Sequence, residues 1–156
     1  MSQTLRGKWH TPTAARLTAA IAFGCLSVIL SNMVIDAMPT DLPAGHFIEI
    51  NIALAALSGW LVAGSRAPAG YIAAISYGLT AIAVFLFLSL LTFSGYQMVI
   101  NALRRQYDSG MEALVAVFEG MLQNFWIMAT YEILGAFAIG AALAGLLTEW
   151  VGQRFA

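Results

Sequence analysis

YIAAISYGLTAIAVFLFLSLLTFSGYQMVINAL, residues 71–103, holds no charged residue, and the uncharged run reaches back to Ala67. Up to Ile100 it is almost entirely apolar. A helix in water needs only one apolar face, whereas about 20 consecutive apolar residues are needed to cross the hydrocarbon core of a bilayer, about 30 Å thick. The solvent for this stretch is lipid. Three more apolar segments surround it, so spans are expected at about 17–35, 47–64, 71–93 and 126–147. Only helices and closed barrels satisfy their backbone in lipid, and segments of these lengths are helical. The expected fold is an all-α membrane protein, residues 1–156 forming a single four-span domain.

Composition agrees. Of the 156 residues, 60% are hydrophobic and 10% charged, against about 45–50% and about 25% in soluble domains. Seven basic and eight acidic residues leave a formal net charge of −1, without a basic tract for nucleic acid. Cys25 is the only cysteine and stands in an apolar run, which excludes a disulfide framework and makes it core filler with an unreactive thiol. His10 and His46 are the only histidines and lie far apart, so no metal site is expected.

The first span follows Thr11-Pro12-Thr13, where threonine suits an N-cap and proline the first turn. Its 19-residue core (17–35) and the lack of a clean small-x-small site after it favour a span over a signal peptide. Ser65-Arg66-Ala67-Pro68-Ala69-Gly70 breaks the chain between the second and third spans. An even number of spans puts Arg6, Lys8, Arg16, Arg66 and Arg154 on one side. The first loop, 36–49, carries three acids and no Lys or Arg. Both termini are therefore expected in the cytoplasm. Arg104 and Arg105 dissent, but five outweigh two.

Between the third and fourth spans, Tyr96, Val99, Ile100, Leu103 and Tyr107 form an apolar stripe at spacings of three and four. After the Asp108-Ser109-Gly110 turn, Met111, Leu114, Val115, Phe118, Met121, Leu122 and Phe125 form another. The expected arrangement is an outer hairpin over about 95–125, its stripes facing each other. Arg104 and Arg105 lie three or four residues before Asp108, a spacing that would suit pairing near the tip, though the leading reading of these charges is a solvated loop surface. The alternative is two helices bent at Gly95 and Gly120 onto the membrane surface.

Ala55, Gly59 and Ala63 stand four apart in the second span, as do Ala136, Gly140 and Ala144 in the fourth. Small residues at this spacing let helices approach closely in lipid. The two stripes either meet within one subunit or serve a homo-oligomer.

Glu132, about six residues into the fourth span, is the residue that most calls for explanation, since a carboxylate within a span is costly. Matching depths puts Ser31, Asn32, Asn51, Thr92 and Ser94 at a similar height and Glu49 slightly further out. Two readings follow: a proton or cation site opening outward, or a satisfied polar cluster that locks the helices together. No catalytic or cofactor-binding constellation is expected, because the sequence has no phosphate loop, metal signature or serine with a plausible histidine partner.

Several fragments together resemble the TrgA family of small four-span bacterial membrane proteins associated with tellurite resistance. They are Pro12-Thr13-Ala14-Ala15-Arg16-Leu17, Asn51 with Gly59-Trp60, Gly70-Tyr71-x-Ala73-Ala74 and Gly78. Further on come Arg104-Arg105-x-Tyr107-Asp108 with Glu112-Ala113, then Glu132, and Gly145-Leu146-Leu147-Thr148-Glu149-Trp150. The resemblance covers about residues 12–154. It implies an integral protein of the bacterial inner membrane that contributes to tellurite tolerance, and it brings no catalytic residue or cofactor. The leading expectation is a non-enzymatic accessory or oligomeric envelope protein, its partners being the lipid bilayer and a second copy or another membrane protein. The alternatives are a small oligomeric transporter or channel using Glu132, and an oxyanion reductase with a bound redox cofactor.

Overall fold

A computed structural model describes residues 13–37 and 46–154, all within helices and their connections. Helix α1 is Thr13–Ala37. Helix α2, Phe47–Ser58, continues through a π-helical turn at Gly59–Ala63. Helices α3, α4 and α5 are Tyr71–Leu103, Gly110–Met128 and Tyr131–Arg154. The basic residues before Pro12 and the middle of the first loop lie outside the described residues.

Three helices, over Ala14–Ala37, Tyr71–Leu103 and Tyr131–Arg154, are long and apolar enough to cross a membrane. The chain therefore has the make-up of a multi-pass membrane protein. The α2 segment with its π turn, Phe47–Ala63, is apolar but shorter.

Going round the bundle, α1 packs on α2, α2 on α3, α3 on α5, and α5 on α1. Glycines set the closest approaches. A β-carbon on Gly59 would stand 2.7 Å from the Ala19 carbonyl oxygen, and one on Gly64 would stand 2.6 Å from the Arg16 Cα. Between α3 and α5, Ala74-x-x-x-Gly78 meets Ala141-x-x-x-Gly145, and β-carbons on either glycine would strike the opposing backbone carbonyl. Close backbone packing through small residues is how helices associate where lipid removes the hydrophobic drive. Phe23, Leu30, Val34, Phe85 and Phe137 fill the space between these seams.

The two small-residue stripes do not face each other. Gly59 is set against α1 at Ala19 and Phe23, and Gly140 against Leu26 of the same helix. Ala55, Ala63 and Ala144 are buried and Ala136 packs on the core. Helix α1 thus lies between the stripes, and both serve the fold of one chain.

One expectation about helix course changes, and the alternative bent at Gly95 is set aside. Helix α3 runs through Gly95 without a break as 33 residues, about 50 Å at about 1.5 Å per residue. The fourth apolar segment does not start at Trp126: the chain breaks at Ala129 and Thr130, and α5 begins at Tyr131. Ala129 leaves the helical ψ range at +38°, and the Thr130 carbonyl accepts the first bond of α5 from Leu134 N–H at 2.9 Å. Threonine at the start of a helix favours such a boundary.

Candidate functional site

The polar groups that the bundle buries together come from three helices. Ser31 lies on the inner side of α1, Asn51 on that of α2, and Ser89 in the middle of α3; all three are buried. The Asn51 amide donates from Nδ2 to Ser31 Oγ at 3.1 Å and accepts at Oδ1 from Ser89 Oγ at 2.7 Å. Leu30, Val34, Phe47, Phe85, Met128 and Phe137 surround the cluster, leaving a cavity of about 10 Å³, room for about one water at most. An amide in such surroundings is costly unless bonded. Here both ends of the side chain are satisfied within the protein, and the three helices are fastened at one height.

Glu132 is not part of this cluster. Because α5 starts at Tyr131, its carboxylate sits exposed in the first helical turn. Negative charge is favoured there by the helix dipole. Asn32 is exposed and donates to the Val28 carbonyl of its own helix at 2.8 Å; Thr92 does the same to Leu88 at 2.7 Å. Glu49 is exposed, its Oε2 lying 3.7 Å from His46 Nδ1. Ser94 is buried but turned to α4, where Asn124 Nδ2 donates to it at 3.5 Å. Of the residues matched by depth, the structure brings together Ser31 and Asn51. Depth fixes height on a helix but not the side of it, and Ser89 has the correct side.

A second polar contact lies at the other end of the bundle, where the sequence marked no site. Glu149 on α5 is 1% exposed. Its Oε1 accepts from Gly70 N–H at 2.6 Å and its Oε2 from Ala69 N–H at 2.9 Å, while Gln153 Nε2 adds a bond at 2.8 Å. The reason lies in the turn before α3. Gly70, at φ +99°, has no side chain to cap the helix, so the amides there need an acceptor from elsewhere. Pro68-Ala69-Gly70 ahead of a long apolar helix, with a carboxylate near the end of another, is the signal that could have found it.

Three arginines lie around this end. Arg16 Cα lies beside Gly64, Arg66 stands over the Tyr77 ring at 5.1 Å, and Arg154 over Trp150 at 5.4 Å. Cys25 is exposed on the outside of α1 rather than in the core. Among the described residues, no three His, Cys, Asp or Glu side chains are grouped to hold a metal.

The outer segment departs most from expectation. Helix α4 does pack on α3, but its covered side is Ala113, Ala116, Val117, Gly120, Met121, Asn124, Ile127 and Met128. Gly120 approaches Ser94, where an added β-carbon would stand 3.4 Å from the serine. Met111, Leu114, Val115, Phe118, Leu122 and Phe125 point outward, as do Tyr96, Val99 and Leu103 of α3, whereas Met121, Ile100 and Tyr107 of the expected stripes are half-buried. Small side chains at Gly120 and Ser94 permit the closest contact. At the tip, Ser109 Oγ accepts from Glu112 N–H at 3.2 Å and the Glu112 carboxylate accepts from Asp108 N–H at 2.8 Å, a capping-box type of closure. Among the described residues the one contact within 4 Å between a basic and an acidic side chain is His46–Glu49, so Arg104, Arg105 and Asp108 are exposed loop charges, as the leading reading has them.

Comparison of the chain with protein-family models, with curated proteins and with solved structures finds no match.

Proposed function

We propose that this chain is a four-span protein of the bacterial inner membrane, with α2 and its π turn as the additional span and both termini cytoplasmic. It acts as a non-enzymatic accessory protein in tellurite tolerance, assembled with its own copies or with another membrane protein. The observation that carries this reading is the closure of Asn51 on Ser31 and Ser89 amid apolar side chains. Polar groups used up on one another fasten helices; a transport path needs them open to a passing ion. Glu132, the carboxylate that a proton or cation site would use, stands apart at the start of α5.

Other features support the topology. The α2 segment is pressed against the spanning helix α1 at Gly59 and Gly64. Arg16, Arg66 and Arg154 share one end of the bundle, which is the cytoplasmic end by the excess of basic residues. Tellurite enters through the sequence resemblance.

The test is survival on tellurite of a deletion strain complemented with the wild-type chain or with Glu132→Gln, with cell-associated tellurium recorded. An accessory role predicts that the deletion is sensitive, that tellurium content is unchanged, and that Glu132→Gln restores survival. A normally expressed Glu132→Gln that leaves cells sensitive and tellurium-loaded would overturn the reading in favour of flux through this residue.

A further inference from the structure

We infer that the α3–α4 hairpin beyond the bundle rests on the bilayer itself, its outward apolar stripe in the acyl-chain boundary and its polar stripe in water. The inference rests on the membrane reading of the bundle. Three observations carry it.

The first is the inverted arrangement of the hairpin. Two helices that pair in water put large apolar side chains between them and polar ones outside. Here the closest contact is between small residues, Gly120 and Ser94, on a covered side of α4 that also holds Ala113, Ala116, Val117 and Asn124, while Leu114, Phe118 and Leu122 are about half exposed or more, Phe118 at 62%. Small residues at the closest contact and large apolar residues outside is the pattern of helices whose solvent is lipid.

The second is continuity. Phe87 and Leu91 are exposed on the part of α3 that belongs to the bundle, and Val99 and Leu103 carry the exposed apolar surface on into the hairpin without a charge between. The surface that lipid covers on the bundle simply goes on. Helix α3, at about 50 Å, is much longer than a core of about 30 Å. A helix too long for its bilayer tilts, which lowers the hairpin towards the membrane surface. Exposed Trp126 and Tyr131 stand where α4 gives way to α5, as aromatic side chains do at the edge of a bilayer.

The third is segregation. Glu112, Glu119 and Gln123 are exposed at spacings of seven and four, on one line of α4. Met111, Phe118, Leu122 and Phe125 occupy another at the same helical spacings. One side of α4 is fit for lipid and its neighbour for water, as in a helix lying at an interface. A surface made wholly for a partner would not need a polar strip beside it.

The experiment uses the full chain in phosphatidylcholine–phosphatidylglycerol vesicles. In a Cys25→Ser background, single cysteines replace Phe118, Leu122, Glu119 or Gln123 and carry an environment-sensitive fluorophore. Quenching by a nitroxide on the lipid acyl chain is compared with quenching by aqueous iodide. The labels at 118 and 122 are expected to lose severalfold more fluorescence to the lipid-borne quencher than to iodide, and those at 119 and 123 the reverse. The native chain labelled at Cys25, on the outside of α1, reports separately on the bundle: loss of lipid quenching there refutes the membrane reading. With Cys25 lipid-quenched, iodide quenching at all four positions overturns the proposal and leaves a hairpin standing in water. Protection of 118 and 122 from both quenchers, with disulfide cross-linking between copies, overturns it in favour of a contact between two chains.

Discussion

Gly78 of α3 and Gly145 of α5 lie back to back: the Cα of each is 3.3 Å from the place a β-carbon on the other would occupy. Ala141 and Ala74 complete the crossing, and the atoms in the way are backbone carbonyls, which cannot swing aside. Gly78→Val and Gly145→Val must therefore separate the helices. Each is expected to cost about 1–3 kcal/mol or more, the range for overpacking a close contact. Gly135, on the same helix with nothing within 4 Å, is the control: Gly135→Val leaves the midpoint nearly unchanged. Unfolding in detergent checks both. Gly140→Leu stands between them, because it meets only the end of the flexible Leu26 side chain.

Asn51 makes two side-chain bonds to two other helices, at 3.1 and 2.7 Å. Asn51→Leu keeps the branching of the side chain, with somewhat larger bulk, and removes both. The serines can turn back to carbonyls in their own helices, so the cost is expected at about 0.6–2 kcal/mol, the scale of interhelical hydrogen bonds in lipid. Asn32→Leu and Thr92→Val break only bonds within one helix and are expected to cost less. A double-mutant cycle with Ser89→Ala isolates the coupling between α2 and α3.

Much of the architecture could be read in advance because lipid imposes a simple demand. An unbroken uncharged and apolar run such as 71–103 must be helical and must be long. Stripes such as Ala55-Gly59-Ala63 also announced a close seam, yet not its partner. The Gly78–Gly145 crossing escaped notice because Ala74-x-x-x-Gly78 is embedded in a helix whose every face is apolar, so periodicity offers no direction there. Glu132 misled for a local reason. Residues 126–147 read as one apolar segment, and the break at Ala129–Thr130 has neither glycine nor proline to mark it. Once the helix starts at Tyr131, the carboxylate that looked buried in a span becomes a residue of the first turn.

Glu149 replaces the cap that Gly70 cannot provide. Glu149→Leu leaves the Ala69 and Gly70 amides without their acceptor, and an unsatisfied buried donor costs about 1–3 kcal/mol. Glu149→Gln keeps a carbonyl oxygen facing the turn and is expected to be milder. Amide hydrogen exchange gives the specific signature: Ala69 and Gly70 exchange faster in Glu149→Leu, while α1 amides are unaffected. Gly70→Ala attacks the same junction from the backbone side. At φ +99° a β-carbon is strained whatever space surrounds it, so a loss on the order of 1 kcal/mol or more is expected. Gly110→Ala, in open space and at an ordinary helical start, should not destabilise.

The same contrast separates structural from functional use of the intramembrane polar groups. If the Ser31–Asn51–Ser89 contact fastens the bundle and Glu132 merely begins a helix, variants should rank in vivo as they rank in stability. Asn51→Leu then lowers the amount of protein in the membrane and reduces tellurite survival in proportion. Glu132→Gln is expected to change neither, because its carboxylate is exposed in the first turn of α5 and makes no bond to another helix among the described residues. Immunoblots of membrane fractions beside survival curves make the comparison. Survival lost in Glu132→Gln at full protein level would break the correlation and return this carboxylate to the centre of the mechanism.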